Sequence, residues 1–202
     1  MTLSWKEWKL GDILYGIVVP LIVALVIIAF PVYLRPALHS IDPSMTLESI
    51  FVFGFEEAIL VIGIPLLLGL LWNQWAGGAA GFILGSIYAL TTFQIYGLFG
   101  DSNFYLLGYV LSGMLIGYIA GVLNKGSSSF LRMLVSGLVA AIIGGLFVYL
   151  GMLLPGQPIN MAAPDYAYSF FLTILPRIVY GIVVPIIAKF FNMFGVSPRR
   201  MS

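Results

Sequence analysis

The sequence predicts an all-α integral membrane protein in which six transmembrane helices form a single domain across residues 1–202. Two observations predict this class. The chain is 61% hydrophobic and only 8% charged, which leaves too few polar residues to cover a soluble domain of this length. Apolar stretches long enough to cross a hydrocarbon core about 30 Å thick also follow one another along the chain. They are residues 12–34, 49–72, 77–99, 104–124, 129–154 and 166–192.

The segments between these stretches leave almost no room for a soluble domain. Residues 1–11 run directly into the first stretch without a small-residue cleavage site, so we interpret it as a retained helix and not as a signal peptide. The longest loops, 35–48 and 155–165, are rich in proline, whereas the turn at 72–75 is very short. Prolines also interrupt the first, second and sixth stretches and free backbone carbonyls there. They are Pro20, Pro65, Pro176 and Pro185.

The cations of the connecting segments predict the orientation, because cytoplasmic loops of membrane proteins carry an excess of Lys and Arg. Of the eight cations other than Arg177, seven fall on one side, and Arg35 falls on the other. We therefore expect both termini in the cytoplasm and the two long loops outside. The seven are Lys6, Lys9, Lys125, Arg132, Lys189, Arg199 and Arg200.

Small residues recur every four positions in the third, fourth and fifth stretches. This spacing aligns a flat strip along one helix face and lets helix backbones approach closely. We predict that the strips pack the helices together or dock another membrane subunit. Their members are Gly77, Gly81, Gly85, Gly113, Gly117, Gly121, Gly137, Ala141 and Gly145.

Glu56, Glu57 and Arg177, hereafter the charged cluster, are ionisable residues inside apolar stretches. A charge at the bilayer centre costs roughly 2.5 to 3.5 kcal/mol on insertion scales, so such residues usually face a partner or a cavity. Counting along the helices puts all three in the outer half of the membrane. They form either an ion pair that only orients two helices or the polar wall of a ligand pocket, and we favour the pocket. Polar or aromatic residues expected at the same level are Gln94, Asn103, Tyr166, Tyr168, Phe170 and Thr173.

Catalytic and metal-binding motifs are missing from the sequence. The chain has no cysteine, and its single histidine, His39, lies in a predicted loop. The sequence contains no G-x-S-x-G, H-E-x-x-H or G-x-x-x-x-G-K motif. We therefore expect no enzyme, no cofactor and no metal site. A formal net charge of +1 gives no sign of nucleic-acid binding.

Four segments, taken in order, resemble the substrate-binding S components of energy-coupling factor transporters. They are Gly77–Gly85, the outer turn Phe99–Phe104, Gly108–Gly121 and Ile174–Gly181. In that family, a Leu-Pro-Arg-like step such as Leu175–Arg177 in the last helix, six helices in about 200 residues and cytoplasmic termini occur together. The first helix departs from the family, because Ala24 and Ala29 are five residues apart and do not form the Ala-x-x-x-Ala contact with the transmembrane coupling subunit.

The resemblance implies a multi-pass protein of the prokaryotic cell membrane that captures a small water-soluble nutrient, such as a vitamin or a precursor, from outside. Such a subunit does no chemistry and depends on ATP hydrolysis by partner ATPase subunits, reached through a transmembrane coupling subunit. On this interpretation Arg177 binds a carboxylate or phosphate of the ligand, and one glutamate binds a basic or amide nitrogen. The expected ligand-binding residues are Glu56, Glu57, Gln94, Asn103, Tyr166, Tyr168, Phe170 and Arg177.

Two other functions fit the same residues. A proton-coupled carrier or channel would use the charged cluster as its proton relay and would transport without partners. A small accessory subunit of a larger membrane complex would use the glycine strips for packing and would bind no ligand.

Overall fold

The computed structural model describes residues 10–42, 46–50, 55–96, 104–153 and 166–194. Within these ranges the chain is helical and contains no strand. The short helices are α1 (Leu10–Ile13), α3 (Thr46–Ser49) and α4 (Ile64–Leu71), and the long ones are α2 (Val19–Ile41), α5 (Gln74–Tyr96), α6 (Phe104–Asn124), α7 (Phe130–Leu153) and α8 (Tyr166–Met193). In the described part of the chain, three segments are long and apolar enough to cross a membrane: Leu106–Asn124, Phe130–Gly151 and Phe170–Met193.

The first helix extends further than the sequence predicts. The predicted loop begins at residue 35, whereas α2 continues to Ile41 through Pro31 and Pro36. Asp42 then accepts a hydrogen bond on Oδ2 from the Leu47 N–H, at 2.8 Å, and so joins α2 to the start of α3. The prediction of a loop was wrong here because proline, a usual helix breaker, is tolerated within this helix. The other long predicted loop, 155–165, lies outside the described residues.

Two π-helical segments, Leu14–Val18 and Ala58–Gly63, each stand directly before an α-helix with a proline in its first turn. These prolines are Pro20 of α2 and Pro65 of α4. In a regular α-helix a proline ring clashes with the carbonyl four residues earlier. A π turn widens the helix at that carbonyl, and it therefore accommodates the ring. The second π segment directly follows Glu57, so the helix is wide beside the charged cluster.

Glycines bring α4, α5 and α6 into backbone contact. A Cβ on Gly81 would overlap the Gly113 backbone, and a Cβ on Gly117 would overlap the Gly77 carbonyl. A Cβ on Gly69 of α4 would also overlap the Gly117 backbone, so Gly117 contacts α4 as well as α5. Three helices can approach this closely only where side chains are missing. All members of the predicted strips are buried, and they face other helices of the same chain.

A hexapeptide, Tyr-Gly-Ile-Val-Val-Pro, occurs at residues 15–20 and again at 180–185. The glycine of the first copy is packed on α5, where an added Cβ would lie 3.2 Å from the Ala76 Cα. The glycine of the second copy is packed on α7, where an added Cβ would lie 3.2 Å from the Gly137 carbonyl oxygen. Both copies therefore serve close helix packing, although the first lies largely in a π segment and the second in an α-helix.

Polar contacts join the helices at the end of the bundle where α6 ends and α7 begins. Asn124 is fully buried, and its Nδ2 donates to the Leu70 carbonyl at 2.9 Å, in the last turn of α4. Lys189 Nζ donates to the Ser128 carbonyl at 2.9 Å, which brings the C-terminal part of α8 to the same end. Arg132 Nε donates to the Leu123 carbonyl, also at 2.9 Å. Three basic side chains of the described residues, Lys125, Arg132 and Lys189, thus lie at this end of the bundle.

Candidate functional site

Arg177 lies near the middle of α8 and is only 3% exposed. Its Nη2 donates to Glu57 Oε1 in an ion pair, and its Nη1 donates to the Thr173 carbonyl at 2.6 Å. Side chains of a helix point back towards its N-terminus, so the guanidinium lies about one turn before Arg177, at the level of Thr173. The ion pair connects α8 with the helical segment 55–71.

Glu56 and Glu57 differ in their surroundings although they are adjacent. The Glu57 side chain is 14% exposed and pairs with Arg177, whereas Glu56 is 3% exposed. Glu56 Oε1 is buried and has no hydrogen-bond partner among the described residues. Successive side chains project about 100° apart on a helix, so one guanidinium reaches only one of the two carboxylates. A buried carboxyl oxygen without a hydrogen-bond partner lowers the stability of the fold. Glu56 Oε1 is such an oxygen, an acceptor inside the helix bundle whose hydrogen-bonding capacity is not met.

Two consecutive glycines of α7 make room for polar side chains of the neighbouring helices. A Cβ on Gly145 would lie 2.8 Å from Arg177 Cδ, so the stem of the arginine occupies the space that a side chain would fill. A Cβ on Gly144 would lie 3.0 Å from Ser112 Oγ of α6. The pair of glycines therefore brings the arginine and the serine against adjacent faces of the same turn of α7.

Ser112 is fully buried, and its Oγ has no hydrogen-bond partner in the described part of the chain. It is a second buried polar group with unmet hydrogen-bonding capacity near Arg177. Ser112 was not predicted from the sequence, since a single serine in an apolar helix carries no distinctive pattern. The signal that could have found it is the Gly144-Gly145 pair, because adjacent glycines in a membrane helix leave space on two faces at once.

Aromatic rings lie next to this polar region on the N-terminal side of Arg177. The ring centroids of Phe170 and Tyr149 are 5.2 Å apart with an interplanar angle of 84°, an edge-to-face arrangement. Phe170 is half-buried and precedes Arg177 by seven residues, or about 10 Å along α8. Phe170 was predicted from the sequence as a ligand-binding residue, whereas Tyr149 was not.

The remaining predicted ligand-binding residues cannot be compared with this geometry. Gln94 lies within α5, and Tyr166 and Tyr168 lie within α8, but their side chains fall outside the described residues, as does the whole of Asn103. Their contact with a ligand stays a prediction. The structure thus brings together Glu57 and Arg177 from the predicted set, with Glu56 in the same helical turn as Glu57.

Arg132 and Lys189 lie far from the charged cluster. Arg132 precedes Gly145 by 13 residues on α7, which corresponds to about 20 Å. Lys189 follows Arg177 by 12 residues on α8, or about 18 Å. No group of three or more His, Cys, Asp or Glu among the described residues is arranged to hold a metal ion.

No protein-family model, curated protein or solved structure matches this chain.

Proposed function

We propose that the chain is a six-span protein of the prokaryotic cell membrane with both termini in the cytoplasm. The three long apolar segments are compatible with a membrane protein. The gathering of Lys125, Arg132 and Lys189 at one end of the bundle supports the orientation, because basic residues concentrate on the cytoplasmic side.

Within this bundle we propose a substrate-binding subunit for the uptake of a small water-soluble nutrient, a vitamin or a precursor. ATP hydrolysis would belong to partner ATPase subunits, which act through a transmembrane coupling subunit. The chain itself would bind and release the nutrient and would carry out no reaction.

The observation that carries this proposal is the unmatched carboxyl group of Glu56. An ion pair that only orients two helices needs one carboxylate, and Glu57 supplies it. Glu56 adds a second, more deeply buried carboxyl group, and its Oε1 has no hydrogen-bond partner among the described residues. Buried ionisable residues in membrane segments usually serve a substrate or ion pathway, so we assign Glu56 to a ligand.

The proposed pocket has the charged cluster at its centre. Ser112 adds a hydroxyl on the α6 side, and the Phe170–Tyr149 pair adds ring surface on the α7 and α8 side. Specific ligand sites combine a mostly apolar wall with a few polar groups that fix orientation. Gln94, Asn103, Tyr166 and Tyr168 complete the proposed site.

A thermal-shift screen of the purified chain against vitamins, nucleobases and their precursors tests the proposal. We expect a ligand to raise the melting temperature without ATP or partner subunits, since the site is complete within this chain. The same ligand should lose its effect in Glu56→Gln and keep it in Ser128→Ala, an exposed position at the other end of the bundle. A ligand effect that survives unchanged in Glu56→Gln would contradict the assignment.

A proton-coupled carrier is the second candidate, and the same carboxyl group favours it. An unpartnered buried carboxyl beside a Glu–Arg pair could also accept and release a proton along a transport pathway. Liposomes that contain only this chain separate the two functions. The carrier would accumulate substrate under an imposed pH gradient, whereas the substrate-binding subunit would bind substrate and accumulate none.

A further inference from the structure

We propose that the ligand presents a protonated nitrogen, as an amine or an amidine, to the carboxylate of Glu56. This inference rests on the proposed binding function and specifies its substrate class. It differs from the expectation drawn from the sequence, in which Arg177 binds an anionic group of the ligand.

The first step is that Arg177 already pairs with a carboxylate of the protein. Its Nη2 donates to Glu57, and its Nη1 donates to the Thr173 carbonyl at 2.6 Å. The stem of the arginine lies against Gly145 of α7, so the side chain is held between helices as well as at its end. A ligand carboxylate or phosphate at this guanidinium would have to share it with Glu57, and the two negative charges would then lie close together.

The second step is the balance of charge. The charged cluster contains two carboxyl groups and one guanidinium. An anionic ligand would add a further negative charge close to Glu56 and Glu57, and like charges in a low-dielectric interior repel strongly. A ligand with one positive charge would instead give Glu56 the partner that it lacks.

The third step is that Arg132 and Lys189 do not supply Glu56 with a counter-ion. Arg132 and Lys189 lie about 20 Å and 18 Å away along their helices, and both donate to backbone carbonyls at the other end of the bundle. A divalent metal is not favoured either, because Ca²⁺ takes six to eight oxygen ligands. The described residues contain no cluster of that kind. An organic cation fits better.

Paired probes that share a skeleton and differ in charge test this inference. We choose tryptamine with indole-3-propionate, benzamidine with benzoate, and pyridoxamine with pyridoxine. Each probe is added to the purified full chain in detergent, and the shift in melting temperature and the apparent Kd are measured. The proteins compared are wild type, Glu56→Gln, Glu57→Gln and Arg177→Gln. The two glutamate variants each remove one negative charge from adjacent positions.

We expect at least one amine or amidine to bind the wild type, with its anionic or neutral counterpart binding at least tenfold more weakly. Glu56→Gln should weaken that binding by about tenfold to a hundredfold, which is the loss expected for one desolvated charge-assisted hydrogen bond. Glu57→Gln should reduce the preference for the cation, because Arg177 then lacks its counter-ion.

Binding of the anionic members that survives in Glu56→Gln and is lost in Arg177→Gln would overturn this inference and leave the proposed binding function in place. Wild-type protein that responds to no member of either set would count against the binding function, and the inference would fall with it.

A measurement without any ligand adds an independent test. Glu56→Gln should raise the melting temperature of the empty protein, because it removes a buried carboxyl whose Oε1 has no partner among the described residues, whereas Glu57→Gln should lower it by removing the carboxylate that pairs with Arg177. If both variants lower the melting temperature, Glu56 has a partner within the protein, and the inference is wrong.

Discussion

Gly145 of α7 lies directly against the aliphatic stem of Arg177, where an added Cβ would come 2.8 Å from the arginine Cδ. The position belongs to one of the small-residue strips, but here the missing side chain admits an arginine and not a second backbone. A long charged side chain can thus run between two packed helices and reach Glu57 on a third element. One glycine therefore links the packing of the bundle to the geometry of the charged cluster.

Alanine substitutions should distinguish a glycine that contacts the backbone of another helix from a glycine that contacts a side chain. A Cβ on Gly81 would overlap the backbone of Gly113, which cannot move without separating α5 from α6. We expect Gly81→Ala to lower the free energy of unfolding by about 1 to 3 kcal/mol, as overpacking does elsewhere. Reversible unfolding in mixed micelles measures this value.

Gly145→Ala is the matched comparison. Its Cβ would meet side chains and no backbone atom of a neighbouring helix, with Ile174 Cδ1 at 2.7 Å and Arg177 Cδ at 2.8 Å. Alanine also gains about 1 kcal/mol of helix propensity over glycine, so we expect a net change in stability near zero. Ligand affinity should nevertheless fall, because Arg177 moves. Equal destabilisation by both substitutions would show that Gly145 is a backbone contact like Gly81.

The ion pair between Arg177 and Glu57 should give a measurable coupling free energy in a double-mutant cycle. Arg177→Leu should cost about 3 to 5 kcal/mol, because it leaves buried carboxylates uncompensated. Adding Glu57→Gln should restore part of that loss, whereas adding Glu56→Gln should restore less. Double-mutant cycles on unfolding free energies give both couplings. A larger coupling of Arg177 with Glu56 than with Glu57 would contradict the described ion pair.

Helix positions could be predicted from this sequence to a large extent, because an uninterrupted apolar stretch leaves a chain few alternatives. The predicted stretch 104–124 has the same bounds as α6, and the predicted stretches 129–154 and 166–192 agree with α7 and α8 to within one residue. The end of the first helix could not be predicted, since Pro36 normally indicates a loop and here lies within α2.

The pairing within the charged cluster could not be predicted from the sequence. Whether Glu56 or Glu57 faces Arg177 depends on the rotation of the segment 55–71 about its own axis. That rotation follows from contacts such as the one between Gly69 and Gly117, and from the π segment that follows Glu57. Spacing along the chain predicts that glycines form strips, but it does not specify which helix each strip contacts.

Asn124 should stabilise the end of the bundle that holds the basic residues. Its Nδ2 donates to the Leu70 carbonyl at 2.9 Å, where the last turn of α4 has unsatisfied acceptors. We expect Asn124→Leu to cost about 1 to 3 kcal/mol, the usual loss when a buried carbonyl is left without a donor. Lys125→Ala, at the exposed neighbouring position, should change stability by less than about 0.5 kcal/mol. Unfolding free energies that do not distinguish the two variants would exclude a structural role for this hydrogen bond.

The proposed orientation can be tested with single cysteines, since the chain contains none. An impermeant thiol reagent should label Ser40→Cys from outside, whereas Ser127→Cys should react only after the membrane is opened. A reporter fused after Ser202 should be active in the cytoplasm. External labelling of Ser127→Cys would show that the number of spans or their direction is wrong.

Native mass spectrometry of protein purified from its own membranes tests the central claim most directly, because it needs no prior choice of ligand. We predict that the wild-type chain retains a small molecule with a basic nitrogen, and that Glu56→Gln, although folded and at least as stable, retains none. A wild-type chain that carries no small molecule, or a Glu56→Gln chain that carries the same one in equal amount, would contradict the assignment of Glu56 to a ligand.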